Sequence, residues 1–251
     1  GLAFSQGLWA VWLVPACVSG FIINWLVVAR RLRAGSRTED SLTLTDFLAS
    51  GSSGTLSRWI KVSASCIVLL SLGIYVASQF QGAGKTFHDT LGLAPDTAVI
   101  VGAAVVFMYT VTGGFWAVSV SDVIQGLMMV IAAVIVPVAA LYAVGGPGEL
   151  IARLSTQPDA YLSLSAGKSG IESIVFIIGI LAIGLGATGQ PHVVNRFMAI
   201  RSEEDVKSGA WVSITWSVIV FSGMFIAGLC GRVLFENLGD GEVVLVRLTT
   251  E

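Results

Sequence analysis

The sequence predicts an all-α integral membrane protein with about six transmembrane helices, and three observations lead there. Of its 251 residues 55% are hydrophobic and only 12% charged, with a mean hydropathy of +0.84. Soluble domains carry about 25% charged residues, so this chain lacks the side chains to clothe a water-facing surface. Six apolar runs approach the roughly twenty residues that a bilayer core requires: Leu8–Val28, Ile60–Phe80, Thr97–Val111, Val118–Val144, Ile171–Thr188 and Trp211–Phe235. The basic residues gather between the runs and mostly on alternate sides.

That last pattern sets an orientation. The segment Ala29–Lys61 holds six basic residues: Arg30, Arg31, Arg33, Arg37, Arg58 and Lys61. Counting alternate connections gives nine basic residues on its side and five on the other. Ala29–Lys61 is therefore expected in the cytoplasm, and the first run enters from outside. Within that segment, Ala34–Ser57 is rich in Ser, Thr and Gly, with Thr45 or Asp46 placed to start a short surface helix. Trp9, Trp12, Trp25, Trp59 and Trp211 fall near run ends, where interfacial anchoring is the ordinary explanation. A Thr-Gly-Gly turn at residues 112–114 parts the third run from the fourth.

The formal net charge of −2 argues against nucleic acid as a partner. Cys17, Cys66 and Cys230 lie in apolar runs, as small packing residues rather than a disulfide framework. The chain starts at Gly1 with no basic leader, so no signal peptide is expected. Both ends look cut, and the chain is expected to be one partial membrane domain, the interior piece of a longer protein.

Few motifs suggest chemistry. Gly82-Ala83-Gly84-Lys85-Thr86 echoes the tail of a phosphate loop, but Gln79 stands where that loop needs its first glycine. His88 and His192 have no metal-ligand spacing, and no nucleophile is paired with a base, so neither a metal site nor an enzyme is expected. Arg196 and Arg201 read as topology anchors. Two features carry more weight. The fifth run holds Gly179, Gly184, Gly186 and Gly189, followed by Gln190, Pro191 and His192. Interior glycine costs a helix about 1 kcal/mol, and proline removes a donor. Either the helix breaks at membrane depth, as transporters break theirs to bind cargo, or these residues form a packing seam ending at a proline-marked terminus. Spacing does not separate the two. Asp122, at the entrance of the fourth run beside Ser119 and Ser121, is costly on an apolar helix and so a functional candidate. The competing explanation is an acid placed to suit the macrodipole at a helix start.

Three blocks of residues resemble the sodium:solute symporter family, and most closely its sodium/proline symporters. The first is Asn24-Trp25-Leu26-Val27-Val28-Ala29-Arg30-Arg31-Leu32-Arg33 with Leu42-Thr43-Leu44-Thr45-Asp46-Phe47. The second runs from Tyr109-Thr110 through Gly113-Gly114 to Ala117-Val118-Ser119, Asp122 and Gln125. The third is Gly184-Leu185-Gly186, Gly189-Gln190-Pro191-His192 and Arg196-Phe197-Met198-Ala199.

The resemblance implies part of a bundle of two inverted five-helix repeats. The first core helix would precede Gly1, and the eighth, with sodium-ligating hydroxyls, would follow Glu251. It implies sodium-coupled uptake of a small organic solute, proline or a related amino acid, by alternating access. Sodium would be the co-transported ion, with no organic cofactor, and the setting a multi-pass protein of the plasma membrane, in contact with lipid. The solute site would involve Tyr75, Ile183, Ala187, Gln190 and Pro191, and Asp122 would serve sodium binding or passage. Ile183 and Ala187 stand where proline carriers resemble one another in having tryptophan and tyrosine, and Val220 replaces a cysteine. Losing two aromatics would enlarge the pocket and remove a stacking surface. A rival reading is a transporter-like sensory membrane module of a signalling protein.

Overall fold

The computed structural model of the chain describes residues 1–235, 238 and 241–250, with Asp89 described by its backbone alone. The described residues are helical almost throughout. In chain order the elements are α1 (Leu2–Gln6), a 3-10 turn (Leu8–Trp12), α2 (Leu13–Ile23), a π-helical segment (Asn24–Ala29), α3 (Arg30–Thr38), α4 (Leu44–Ala49), α5 (Gly54–Leu91) and α6 (Pro95–Val144). There follow α7 (Pro147–Leu154), α8 (Asp159–Leu162), α9 (Gly170–Gly186), a 3-10 turn (Ala187–Gly189), α10 (Pro191–Met198), α11 (Glu203–Leu234), a 3-10 turn (Gly241–Val243) and α12 (Val244–Thr250).

Among the described residues, five helical stretches are long and apolar enough to cross a membrane. The chain is an all-α, multi-pass membrane protein. The six expected runs become five stretches because the third and fourth share α6. Fifty residues of helix would measure about 75 Å, more than twice a hydrocarbon core of about 30 Å. The Thr-Gly-Gly turn interrupts it: Gly114 has φ 53° and ψ −146°, a conformation that costs residues with a Cβ dearly. Observed helices also outrun the apolar runs. α11 begins eight residues before Trp211, because Ser202 and Asp205 cap it reciprocally: Asp205 N donates to Ser202 Oγ at 3.0 Å and Ser202 N to Asp205 Oδ2 at 3.2 Å.

The chain forms two compact units. One comprises residues 1–11, 76–173 and 219–251. In it α6 and α11 approach closely, since a Cβ on Gly223 would strike the Ala133 backbone. Tyr161 donates to the Ala3 carbonyl at 2.7 Å, beneath the Arg232 guanidinium, which lies 5.3 Å from the Tyr161 ring centre. Burial pushes the Tyr161 phenol up to about 12, against the opposing pull of Arg232. Lys85, in the glycine-rich stretch that echoed a phosphate loop, is paired with Glu242 inside a continuous helix.

The other unit comprises residues 12–75 and 174–218. Its core is Ala29, Leu32, Val194, Phe197 and Val206, flanked by Trp25, Leu44 and Phe47. Thr43 caps α4, accepting from Asp46 N at 3.2 Å, so the short helix starts at Leu44, one residue before the earliest expected start. Lys61 bonds the Asp46 carboxylate at 2.8 Å and, with Thr43, holds its pKa below the ordinary range. Arg33 and Arg37 do more than mark topology. Both donate to the carbonyls of Ile200 and Arg201, over distances of 2.8 to 3.2 Å. These are charge-assisted bonds to a chain segment that has left its helix. They fasten the loop after α10 to α3.

Candidate functional site

The second unit holds the site, and a helix break builds it. α9 ends at Gly186, tightens through the 3-10 turn and becomes extended at Gln190 (φ −73°, ψ 114°), and Pro191 then opens α10. Proline suits that first position because the amide it lacks would have no helical partner there. The seam expected of the glycine-rich run is present, and the chain leaves the helix only at the end of its 20-residue apolar span. Gly184 is a seam: a Cβ there would fall on the Ala16 carbonyl of α2, and one on Gly20 would fall on the Gly184 carbonyl. The break lies just beyond, at residues 187–190.

A break leaves carbonyls without helical donors. Asn24 adds a side-chain donor at one of them, the Ala187 carbonyl, which otherwise accepts only a long bond of 3.4 Å from Gln190 N. Asn24 opens the π-helical segment, a distortion often found at functional positions, and its Nδ2 donates to Ala187 O at 3.0 Å. Asn24 is only 4% exposed. Its other amide atom, Oδ1, is buried with no hydrogen-bond partner. The acceptor-only carbonyl of Ala187 fixes which end of the amide faces it.

Beside this junction lies a cavity of about 470 Å³, lined by Phe21, Asn24 and Trp25 from one strand of chain and by Ala187, Gln190, His192, Val193, Arg196, Phe197, Ile200 and Ser213 from the other. The lining is mostly apolar with a few polar groups, in the size range of small-molecule sites. Trp25 also packs within the protein. It stands edge-on to Phe197 at 5.0 Å between ring centres, in space that Gly209 leaves open. His192 stacks on Tyr75 at 5.4 Å and 19° between planes. Burial, then the Arg196 charge, lower the His192 pKa, which favours a neutral ring.

The residues singled out by sequence fall in four places. Ala187 and Gln190 line the cavity. Tyr75 reaches it through the ring of His192. Pro191 lines a separate hollow of about 320 Å³ with Thr43, Thr45, Ser65 and Asn195. Ile183 is 57% exposed and Val220 is buried in the other unit. Asp122 is in that unit too, half-buried within α6, eight residues beyond Gly114. That is more than two turns from the break, past the reach of a terminal dipole, so the helix-start explanation loses its basis. Sequence reasoning did not place Asn24, Trp25 or Arg196 at a site. Asn24 did carry a signal, as the one amide side chain in an otherwise mostly apolar run.

Comparison with known proteins bears on this geometry. The model of the family described as "Sodium:solute symporter family" matches residues 1–250. The chain is 32% identical over 254 residues to the high-affinity proline transporter PutP of Bacillus subtilis, covering 99% of this chain and 52% of that protein. It is 32% identical over 238 residues to the sodium/proline symporter of Escherichia coli, covering 94% and 46% respectively. It is 34% identical over 232 residues to the sodium/proline symporter of Staphylococcus aureus, covering 92% and 44%. The chain thus spans about half the length of the curated relatives it matches. No solved structure matches it. With a family match over nearly its whole length, the chain belongs to the sodium:solute symporter family.

Proposed function

We propose that the chain is part of a carrier that couples inward sodium movement to uptake of a small organic solute, proline or a related amino acid. The observation that carries this reading is the helix break at Ala187–Gln190, beside a partly open, mostly apolar cavity with a few polar groups. Two of the residues expected to touch solute, Ala187 and Gln190, lie on its lining. Relatives named as proline carriers favour the solute class and favour a carrier over a sensory module or an enzyme.

The coupling ion is sodium, Asp122 serves its binding or passage, and no organic cofactor takes part. Sodium biases which face of the carrier is open, and the solute follows. At a resting potential each entering sodium ion contributes about 2.3 kcal/mol per 100 mV, besides its concentration gradient. That is enough for strong accumulation without ATP. The protein sits in the plasma membrane with Ala29–Lys61 in the cytoplasm, and its exposed apolar helix faces meet lipid. Nucleic acid has no part in this function.

Reconstituted in proteoliposomes, the full-length protein is expected to accumulate radiolabelled L-proline only under an inward sodium gradient. Uptake indifferent to sodium, or no uptake of any amino acid, would overturn the reading.

A further inference from the structure

The short helix α10 has a space on each of two faces. Pro191 and Asn195, four residues apart and so on one side of the helix, line the hollow of about 320 Å³. Val193 and Arg196 line the larger cavity. Consecutive residues at the break, Gln190 and Pro191, thus face different spaces. α5 runs beside both. Its Tyr75 stacks on His192 next to the break, and its Ser65 lines the hollow, ten residues and about 15 Å along the helix. Thr43 and Thr45, from the segment read as cytoplasmic, share that lining.

The groups in the hollow say what fits there. Asn195 Oδ1 accepts from Leu44 N at 3.1 Å, which leaves both hydrogens of Nδ2 without a partner among the described residues. Ser65 Oγ has none among them either. Asn195 is exposed and Ser65 half-buried, so an entering molecule reaches both. Thr43 gives its hydroxyl hydrogen to Asp46 Oδ2 at 2.7 Å. Thr45, 3.0 Å from Thr43 Oγ1, is then the donor of that pair and keeps lone pairs to offer. Donors for a carboxylate and acceptors for an ammonium are therefore present together. Pro191, Val68 and Leu69 add an apolar surface for a small ring. No charged residue lines the hollow among those described, and Lys61, one turn before Ser65, is engaged by Asp46 at 2.8 Å. Neutral partners hold a zwitterion less tightly than ionic ones. Such a lining suits departure.

Building on the carrier reading above, we propose that the hollow between α4, α5 and α10 is a release subsite, where a zwitterionic solute leaving the break for the cytoplasm sets its carboxylate on Asn195 Nδ2 and Ser65 Oγ. Its volume lies at the lower end of the range for small-molecule sites. Asn195 then has a task for each end of its amide. Oδ1 anchors α4 through Leu44, and Nδ2 receives the cargo.

The test uses full-length protein in proteoliposomes of one orientation. Ser65→Cys, with every other cysteine replaced by serine, is treated with a membrane-impermeant maleimide on either side. Reagent on the cytoplasmic side should label position 65, and L-proline on that side should slow the reaction severalfold. Reagent on the outer side should not label it. Leu69→Cys, on the same lining, takes its place if Ser65→Cys is inactive. A second variant, Asn195→Asp, keeps the acceptor for Leu44 N but sets a negative charge where the donor stood. It should raise the half-saturating proline concentration for efflux roughly tenfold, the worth of a hydrogen bond to a charged group. The rise for entry should be smaller.

Labelling from the outer side only, or from neither side, overturns the proposal. So does cytoplasmic labelling that L-proline leaves unchanged, which would make the hollow wet but not part of the route. Equal rises for entry and efflux in Asn195→Asp would place Asn195 off the release path and contradict the assignment too. If the wild type takes up no proline under a sodium gradient, the carrier reading itself fails. Sodium-driven uptake with an unprotected position 65 defeats the subsite alone.

Discussion

Gly184→Ala is expected to destabilise the protein by about 3 kcal/mol, at the upper end of what overpacking costs. The new methyl would land on the Ala16 carbonyl, which belongs to the backbone of another helix. A side chain can swing aside, but a helix backbone can only be pushed bodily. Small residues at such a crossing are how membrane helices come close, since packing rather than water drives their association. The control lies on the same helix. Gly179 has open space where its Cβ would be, so Gly179→Ala should leave stability unchanged or raise it slightly. Thermal unfolding of the detergent-solubilised variants measures both. Equal midpoints for the two would mean that α2 and α9 do not touch at Gly184.

Asp122→Asn is expected to raise the sodium concentration for half-maximal transport roughly tenfold or more, a loss of about 1.4 kcal/mol or more. The substitution keeps size and hydrogen-bonding capacity but removes the charge. Asp122 lies more than two turns past Gly114 and half-buried on an otherwise apolar helix. A carboxylate in that setting is costly to retain without a task. Ser119, one turn before it, already donates to the Phe115 carbonyl at 2.8 Å, which leaves its oxygen lone pairs available to a cation. Uptake measured across a series of sodium concentrations reads the effect. An unchanged half-saturation would return Asp122 to a structural role.

How far the sequence foretold these features depends on the range of the interaction. Hydropathy located every long helix, because a membrane span is a local property of some twenty residues. It placed the ends poorly. The polar turns at Glu203–Ala210, capped by Ser202 and Asp205, and at Gly54–Trp59 continue the helices beyond what an apolar window registers. Gly114 was legible as a break because glycine there answers a local backbone demand. The end of the fifth helix was legible for the same reason, through Gly189 and Pro191.

What escaped was pairing at a distance. Asn24 finds Ala187 across 163 positions, and Gly20 is the necessary partner of Gly184, yet neither is marked as such in its own segment. Arg33 and Arg37 read as topology signals because their charge is local information, while the carbonyls of Ile200 and Arg201 that they cap are not. Trp25 sits at a run end in sequence but against Phe197 in space. Ile183 and Ala187, four apart in one helix, were expected together at the solute, but the helix tightens between them and only Ala187 lines the cavity.

The most direct measurement of the central claim is site-specific labelling at the break. In full-length protein with Cys17, Cys66 and Cys230 replaced by serine, a single cysteine is placed at Gln190, and in a second version at Ile183. With sodium present, L-proline should slow the reaction of a water-soluble maleimide at position 190 severalfold and leave position 183 unaffected. Labelling at 190 that ignores the solute would contradict the account, because the break would then open onto something other than cargo.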